Sequence, residues 1–374
     1  MSTTSQPAAT APYDVAIVGA GVAGLVLSML LKRAGIRHVL LSRKEVRKPL
    51  ALGETMPPSA YTLLDRLALT PLFEANATRT FGYHSMWGNN RVVNQNFFGH
   101  QPCSNGLKLD KPALMAALEA EVLEQVLPFD ELNAVEATKT NTRITITSGK
   151  ERSTLVANVL VDATGRARAV LKRLGVGSRD YDELVALYCH VPRHKHPQLQ
   201  HGVCVESFEE GWGIVSTLDD ERCALTLFTN KGNRVLGALK HYENWKQVLQ
   251  GSSILKDFLS PEPLSKVLGR QANSSKAEQL AGANWLVVGD AAIAFDPISS
   301  HGVTNALYGA SRAFRAISQH LPAPNGSAFG EYQQTLNGIF EGYLQHRAQL
   351  YARERRWSGP FWEQVASPVG NAFA

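Results

Sequence analysis

A strand, a glycine-rich turn and a helix follow one another near the start of this 374-residue chain. Residues 13–18 read YDVAIV, which predicts a short apolar strand, and residues 19–24 read GAGVAG, a GxGxxG pattern. An apolar helical pattern then continues to Ala34, and residues 38–41 predict a second strand. This order is typical of the βαβ unit that binds a dinucleotide, so it restricts the chain to an α/β fold.

The three glycines of this turn have separate roles. Gly19 permits the tight turn, Gly21 lets the backbone approach a pyrophosphate, and Gly24 lets the helix pack close to the strand. The first turn of the helix adds unpaired amides and the positive end of the helix dipole. The sequence therefore predicts that a dinucleotide binds here.

Two further motifs combine an apolar strand with an acidic residue and a glycine. The stretch VLVDATGR contains Asp162 and Gly165, and the stretch WLVVGDAA contains Gly289 and Asp290. A third stretch, FDPISSHGV, follows the second motif and precedes a helical pattern that continues to about Gln319.

These motifs, in this order, resemble those of FAD-dependent monooxygenases and flavin-dependent tryptophan halogenases. The resemblance implies that Asp290 binds the ribityl chain of FAD, and that Asp162 either contacts the cofactor or caps its own turn. It also implies that the helix starting near Gly302 directs its N-terminus at the pyrimidine edge of the flavin, where the helix dipole stabilises negative charge. The implied cofactor contacts are Gly19, Gly21, Gly24, Arg43, Glu45, Asp162, Gly165, Gly289, Asp290, Pro297, Gly302 and Val303.

The end of the second strand departs from the usual fingerprint. The position that normally carries a ribose-binding acid is Ser42, followed by Arg43, and Glu45 comes slightly later. Serine and arginine here can indicate the 2′-phosphate of NADP, whereas with FAD either Glu45 reaches the ribose or Arg43 packs on the adenine. No second GxGxxG pattern occurs, so transiently bound NAD(P)H or a separate reductase is the expected electron source.

The stretch GETMPP at residues 53–58 resembles the halogenase branch, but two halogenase patterns are missing. Thr80 lies near the position of the halogenase lysine, and no lysine occurs there; the adjacent Arg79 cannot act as the same amine nucleophile. The WxWxIP signature is reduced to WGIVST at residues 212–217. Halogenation is therefore the less favoured activity.

The C-terminal part of the sequence indicates which group within this superfamily the chain resembles. Residues 332–362 predict a long helix with an aromatic end, and this tail, the GETxPP loop and the DPxSxxG stretch resemble the LodB-like flavoproteins. That group matures oxidases that carry cysteine tryptophylquinone. The resemblance implies an FAD-dependent oxidoreductase of the monooxygenase type that oxidises a tryptophan of an oxidase precursor, its protein partner. Two alternatives stay open: a monooxygenase for a small aromatic metabolite, and a flavin-containing maturation chaperone without catalysis.

Glu54 and His301 are the candidate catalytic residues. His301 could donate a proton or orient the substrate, or it could hydrogen-bond across its loop. Glu54 could bind flavin or orient the substrate, or it could satisfy loop amides.

Composition excludes several other classes of function. Lysine and arginine total 38 against 33 acids, and this mild excess does not indicate nucleic-acid binding. The densest basic cluster, residues 347–356, predicts either a solvated helix face or a docking face for an acidic partner.

The longest uncharged run, residues 15–31, is short for a membrane span, and the 4 cysteines form no CxxC pair. We therefore expect a cytoplasmic protein with no metal site; the oligomeric state stays open.

The order of elements predicts a discontinuous Rossmann-like FAD-binding domain, a mostly antiparallel substrate domain and a helical tail. Strands of the substrate sheet are expected at about 81–98, 184–192, 202–208, 211–218 and 222–229. Asp110 is expected to cap a helix that has Pro112 in its first turn. The predicted ranges are 12–75, 100–172 and 266–322 for the FAD-binding domain, 76–99 and 173–265 for the substrate domain, and 323–374 for the tail.

Overall fold

The computed structural model describes residues 12–44, 50–138, 140–232, 236–324 and 326–366. The strands of these residues are β1 (Tyr13–Val18), β2 (His38–Arg43), β3 (Thr55–Met56), β4 (Ala77–Thr80), β5 (Gly82–Met86), β6 (Val93–Asn96), β7 (Gly106–Leu109), β8 (Val126–Phe129), β9 (Glu131–Ala137), β10 (Thr142–Ser148), β11 (Glu151–Asp162), β12 (Ser178–Asp180), β13 (Leu184–Pro192), β14 (Val203–Phe208), β15 (Gly211–Thr217), β16 (Arg222–Asn230), β17 (Leu268–Gln271), β18 (Ser275–Ala277), β19 (Trp285–Val287) and β20 (Ile293–Ala294). The α-helices are α1 (Val22–Arg33), α2 (Tyr61–Arg66), α3 (Thr70–Ala75), α4 (Lys111–Glu121), α5 (Ala169–Arg173), α6 (Tyr242–Leu249), α7 (Gly302–His320), α8 (Ser327–Ala352) and α9 (Pro360–Ala366).

The first sheet has a parallel centre in the order β8-β2-β1-β11-β19, and β10 and β9 extend it beyond β11 as antiparallel strands. Residues 15–18 of β1 are fully buried, as expected for a strand covered on both faces. Val18 pairs with both Leu41 and Asp162, and Asp162 pairs with Val287. The three sequence motifs therefore end at one edge of the sheet, where open α/β sheets bind ligands.

The second sheet has the order β17-β13-β16-β15-β14-β5-β6 and is antiparallel except where β14 meets β5. One face packs on a second hydrophobic core that includes Met86, Cys204, Val215 and Trp245. The α/β fold with a mostly antiparallel second sheet is thus confirmed. The single strand expected at 81–98 is instead the hairpin β5–β6, because residues 87–92 turn the chain.

A small sheet of β3, β7 and β4 lies next to the GETMPP loop. Thr55 and Met56 pair with Lys108 and Leu107. The chain then enters α4, where the Asp110 carboxylate accepts a hydrogen bond from the Ala113 amide at 3.1 Å. This confirms the predicted N-cap.

The C-terminal segment is helical, but in two pieces. The helix α8 ends at Ala352, and α9 begins at Pro360, a residue that suits a first helical turn and does not continue a preceding helix. Along α8 the buried residues include Tyr332, Phe340 and Tyr343, which join the main core. None of the described helices combines the length and apolar character that crossing a membrane requires. The proposed domain boundaries stay a prediction.

Candidate functional site

In the GxGxxG turn, protein packing requires a glycine at two positions and leaves open space at the third. Gly19 has φ +111°, and a Cβ there would lie 2.4 Å from the Ala163 carbonyl oxygen. A Cβ at Gly24 would lie 2.0 Å from the carbonyl oxygen of Gly19. A Cβ at Gly21 would meet nothing within 4 Å. The free space at Gly21 lies at the N-terminus of α1, which has no side-chain cap and no acid in its first turn, and so fits a pyrophosphate.

The end of β2 is only partly described. Arg43 is the last residue of β2 and is exposed, so its side chain is available to a nucleotide. Glu45 lies outside the described residues. Of the two adenosine contacts left open by the sequence, the structure therefore describes only the position of Arg43.

The Asp162 carboxylate is buried and is used by the protein itself. One oxygen accepts from the Thr164 amide at 2.9 Å and the Thr164 hydroxyl at 2.6 Å. The other accepts from the amides of Val170 and Leu171, at 3.2 and 3.0 Å, at the start of α5. Of the two alternatives for Asp162, this geometry favours the cap of its own turn. Gly165, with φ +63°, completes that turn beside open space.

Asp290 keeps an accessible carboxylate at the same edge. Its side chain is 43% exposed, and one oxygen lies 3.6 Å from Nε of Arg166. The preceding Gly289 brings the two glycine motifs together, because a Cβ there would lie 3.0 Å from Cβ of Ala23 in α1. Asp290 therefore keeps its carboxylate accessible to a hydroxyl group of a ligand at this edge.

Two arginines that the sequence reasoning missed support this edge. Arg166 donates to the Asn273 carbonyl at 2.6 Å and the Phe295 carbonyl at 3.2 Å. Arg168 is buried in a left-handed conformation and donates to the Ala291 carbonyl at 3.0 Å. Burial lowers the pKa of Arg168 from its ordinary value. Both arginines lie within three residues of Gly165, so the VDATG motif could have indicated them.

The DPISSHG loop is held by the C-terminal helix. Asp296 is fully buried and accepts hydrogen bonds from Nε of Arg347 at 3.0 Å and from the Tyr351 hydroxyl at 2.8 Å. Arg347 also lies 3.2 Å from a carboxylate oxygen of Asp182. Arg347 is thus buried, and the idea that it belongs to a solvated helix face is wrong. Burial raises the pKa of Asp296, and the Arg347 charge opposes that effect.

The same loop leads into the N-terminus of α7. His301 is the N-cap residue and is exposed, and its backbone amide donates to Oγ of Ser299 at 3.4 Å. A Cβ at Gly302 would meet nothing within 4 Å, and the first turn of α7 carries no acid. This helix end therefore faces open space with its dipole uncompensated. Surrounding protein atoms, and more weakly His346, lower the pKa of His301. Pro297 and Val303 flank this position and are partly buried.

Glu54 lies in the GETMPP loop, directly before β3. Its Oε1 accepts from Nζ of Lys111 at 2.9 Å, whereas Oε2 is buried and has no hydrogen-bond partner among the described residues. Burial acts to raise the pKa of Glu54, but the Lys111 ammonium group outweighs it and holds the pKa below its usual value. The carboxylate is therefore ionised and has one oxygen left for a ligand.

The second sheet supplies the floor between these loops. Ser85, Val205 and Ile214 are register partners on β5, β14 and β15, and they are half-buried, whereas their neighbours along each strand are fully buried. At one end of this face the Ser216 hydroxyl donates to the Gly53 carbonyl at 2.7 Å. At the other end Nε1 of Trp212 donates to the Tyr351 hydroxyl at 3.0 Å. The half-buried residues thus form an accessible strip of the sheet between the GETMPP loop and the C-terminal helix, which we call the cleft floor.

Lys108 is buried beside this floor. Its Nζ donates to Oγ of Ser216 at 2.6 Å and to the Gly202 carbonyl at 3.2 Å. Burial lowers the pKa of Lys108 to about 7, although the negative charge of Glu54 acts in the opposite direction. A sequence feature that could have indicated this buried lysine is its place between two leucines in the stretch GLKL.

Replacing Lys108 by methionine is expected to change how stability depends on pH. The unfolded lysine keeps its proton up to a pKa of 10.5, whereas the folded lysine loses it near 7, so unfolding takes up a proton between these values. The wild type should therefore gain about 2 kcal/mol of unfolding free energy relative to K108M between pH 7 and about 9. Urea unfolding at each pH measures this difference. The exposed Lys172→Met variant should show no such trend, and a flat difference for K108M would contradict the shift.

Comparison with known proteins finds relatives in sequence and in fold. LodB of Marinomonas mediterranea, named as an FAD-dependent oxidoreductase, is 26% identical over 362 residues, which cover 94% of this chain and 96% of LodB. The flavin-dependent halogenase CmlS superposes with a TM-score of 0.82 at 21% identity, over 95% of this chain and 68% of its own. QhpG, a peptidyl tryptophan dihydroxylase essential for tryptophylquinone cofactor biogenesis, superposes with a TM-score of 0.77 at 22% identity, over 95% of this chain and 79% of its own. At these identities the two solved structures establish the shared fold.

The family follows from the sequence itself. The model of the FAD binding domain family matches residues 12–330. That range includes the GxGxxG turn, the VDATG and GD motifs and the N-terminus of α7. The chain therefore belongs to the FAD binding domain family.

Proposed function

We propose that this FAD-dependent oxidoreductase oxidises a tryptophan side chain of a partner oxidase precursor during cysteine tryptophylquinone formation. The observation that carries the proposal is the half-buried floor of Ser85, Val205 and Ile214 between the two motif loops. The floor includes β5, next to the edge strand β6, whose residues are all exposed. A floor that continues to such an edge suits a side chain presented by another protein. The similarity to LodB and the shared fold with QhpG support this choice of substrate.

The residues at the sheet edge fit FAD. The open space at Gly21 and the amides of α1 would hold the pyrophosphate, and Asp290 would accept from the ribityl chain. Arg43 would pack on the adenine, and the N-terminus of α7 at Gly302 would face the pyrimidine edge. The chemistry that FAD supplies when bound is two-electron activation of O2 for transfer to an electron-rich ring.

The protein must position the indole and manage protons. Each oxygen atom added to the ring requires one O2, two electrons and two protons, and releases one water; NAD(P)H or a separate reductase would supply the electrons. Because its pKa is lowered, His301 is mostly neutral at neutral pH, so we assign it to orienting the substrate or accepting its proton. Glu54 would orient the ring or the flavin through its unpartnered oxygen.

The test of this proposal uses the FAD-loaded protein, a flavin reductase with NADH, O2 and the oxidase precursor made in the same host without this protein. We expect the precursor to gain oxygen mass on one tryptophan, and the added oxygen to carry the isotope label of the O2 supplied. A precursor that binds but keeps its mass would favour a chaperone. A precursor that neither binds nor changes, while small aromatic compounds are hydroxylated, would favour a metabolite monooxygenase.

Replacing His301 by asparagine should lower the rate of tryptophan oxidation by about 10²–10⁴-fold, because general acid–base groups contribute that range. The flavin absorption spectrum should be unchanged. The exposed His346, which acts electrostatically on His301, offers a matched control, and His346→Asn should keep the rate within a few-fold. A normal rate in H301N would remove His301 from the chemistry.

A further inference from the structure

The strand β6 leaves an open edge on the second sheet. Among the described residues no strand lies beyond it, and all four of its residues are exposed. The Phe97 amide donates to the Phe81 carbonyl, so these two residues form a hydrogen-bonded pair. Along the antiparallel β5–β6 ladder, hydrogen-bonded and non-hydrogen-bonded pairs alternate from this point. Asn94 and Asn96 then occupy the pairs whose backbone groups face away from β5. Such an edge can accept another extended chain through backbone hydrogen bonds.

Exposed apolar side chains line this edge. Phe98 is 90% exposed, Phe81 is 56% exposed and Tyr83 is 38% exposed. Exposed aromatic groups clustered on an open edge are typical of interaction sites. Tyr83 precedes Ser85 by two residues and so shares its face of the sheet. The apolar edge is therefore continuous with the cleft floor.

The charge beside this edge is positive. No aspartate or glutamate occurs between Glu74 and Asp110, and Arg91 in the β5–β6 turn is exposed. Arg353, also exposed, lies beside the same turn, because a Cβ at Gly88 would lie 2.6 Å from the Arg353 carbonyl oxygen. These arginines favour a negatively charged partner.

The acid within the neighbouring arginine cluster does not cancel this charge. The Glu354 side chain is fully buried, and it accepts from the Gly88 amide at 2.8 Å and from Arg356 at 2.6 Å. Desolvation opposes these bonds, but they lower the pKa of Glu354 to about 2. Glu354 therefore neutralises Arg356 and leaves Arg353 and Arg355 exposed.

We infer that the β5–β6 hairpin, with Arg91 and Arg353, docks an extended acidic segment of the protein substrate, which pairs with β6 and leads its tryptophan over Tyr83 into the cleft. This inference rests on the proposed function. A second copy of this chain is the weaker occupant, because two-fold pairing of β6 edges would bring the same arginines together.

The experiment measures binding of the oxidase precursor to the full-length, FAD-loaded protein. The Arg91→Glu, Arg353→Glu double variant should weaken precursor binding by about tenfold or more and reduce its sensitivity to salt. Asn94→Pro should also weaken binding, because proline removes the outward-facing amide. Lys150→Glu, Arg152→Glu on the β10–β11 hairpin is the matched charge-reversal control and should bind like the wild type. All variants should keep the flavin spectrum and the rate of flavin reoxidation by O2 without precursor.

Normal binding and oxidation of the precursor by the double variant and by Asn94→Pro would overturn the docking surface and leave the proposed function intact. Failure of the wild type to bind the precursor would overturn both. A wild-type dimer that Asn94→Pro converts to a monomer, with no effect on precursor binding, would assign the edge to a second copy and also overturn the inference.

Discussion

Replacing Gly21 by leucine is expected to weaken FAD binding by at least about 100-fold, or roughly 3 kcal/mol, while the protein stays folded. The backbone of Gly21 is extended, with φ −77° and ψ 179°, which any residue adopts. A side chain there meets no protein atom within 4 Å of Cβ, in contrast to Gly19 and Gly24, where it would strike backbone. Only a bound ligand therefore needs a glycine at this position, and the expected ligand group is the pyrophosphate.

Flavin fluorescence titration of the apoprotein measures this affinity, and urea unfolding of the apoprotein measures stability. Gly338 provides the matched control, because it is exposed on α8 and a Cβ there also meets nothing within 4 Å. Gly338→Leu should bind FAD like the wild type. If Gly21→Leu also binds FAD normally, the pyrophosphate does not cross this turn.

Replacing Arg347 by methionine should lower the free energy of unfolding by about 3–5 kcal/mol, because removal of one partner leaves buried charge uncompensated. Arg347 lies 3.0 Å from Asp296 and 3.2 Å from Asp182, and all three side chains are nearly or fully buried. Without the guanidinium group, the pKa of Asp296 should rise further. The defect should therefore become smaller as pH falls, since protonation removes the uncompensated negative charge.

Urea unfolding at neutral and acidic pH tests this expectation. Arg355 is exposed in the same arginine-rich segment, so Arg355→Met is the matched control and should change stability by less than about 1 kcal/mol. Adding Asp296→Asn to Arg347→Met should recover part of the loss. A loss in R347M no larger than that of the control would contradict the role assigned to this buried pair.

The parts of the fold that sequence reasoning predicts are those encoded locally. The GxGxxG turn, the Asp110 cap and the start of α7 near Gly302 each depend on neighbouring residues, and the structure has the cap and the helix as predicted. The role of Asp162 is also local, yet the sequence leaves two alternatives. The choice between them depends on the three-dimensional structure, in which the hydrogen bonds from α5 to Asp162 favour the capping role.

The remaining features depend on residues far apart in the chain. Lys108 reaches Ser216 across 108 positions, and Arg347 reaches Asp296 across 51. A count of charges along the sequence groups Arg347 with Arg353 and Arg355, but tertiary packing buries the first and exposes the others. Partners of this kind follow from the packing of whole elements, which no local pattern specifies.

The bond from Asp296 to α8 also has a consequence for the order in which the protein matures on the ribosome. The strands and turns that would hold the adenosine half of the cofactor come from the first half of the chain, whereas Arg347 and Tyr351 are synthesised near its end. Domains generally fold as units, and the sheet behind this site also includes β19 from late in the chain. The loop at the flavin edge therefore lacks its buried ion pair until α8 has been synthesised, so the complete site forms only after α8 has left the ribosome.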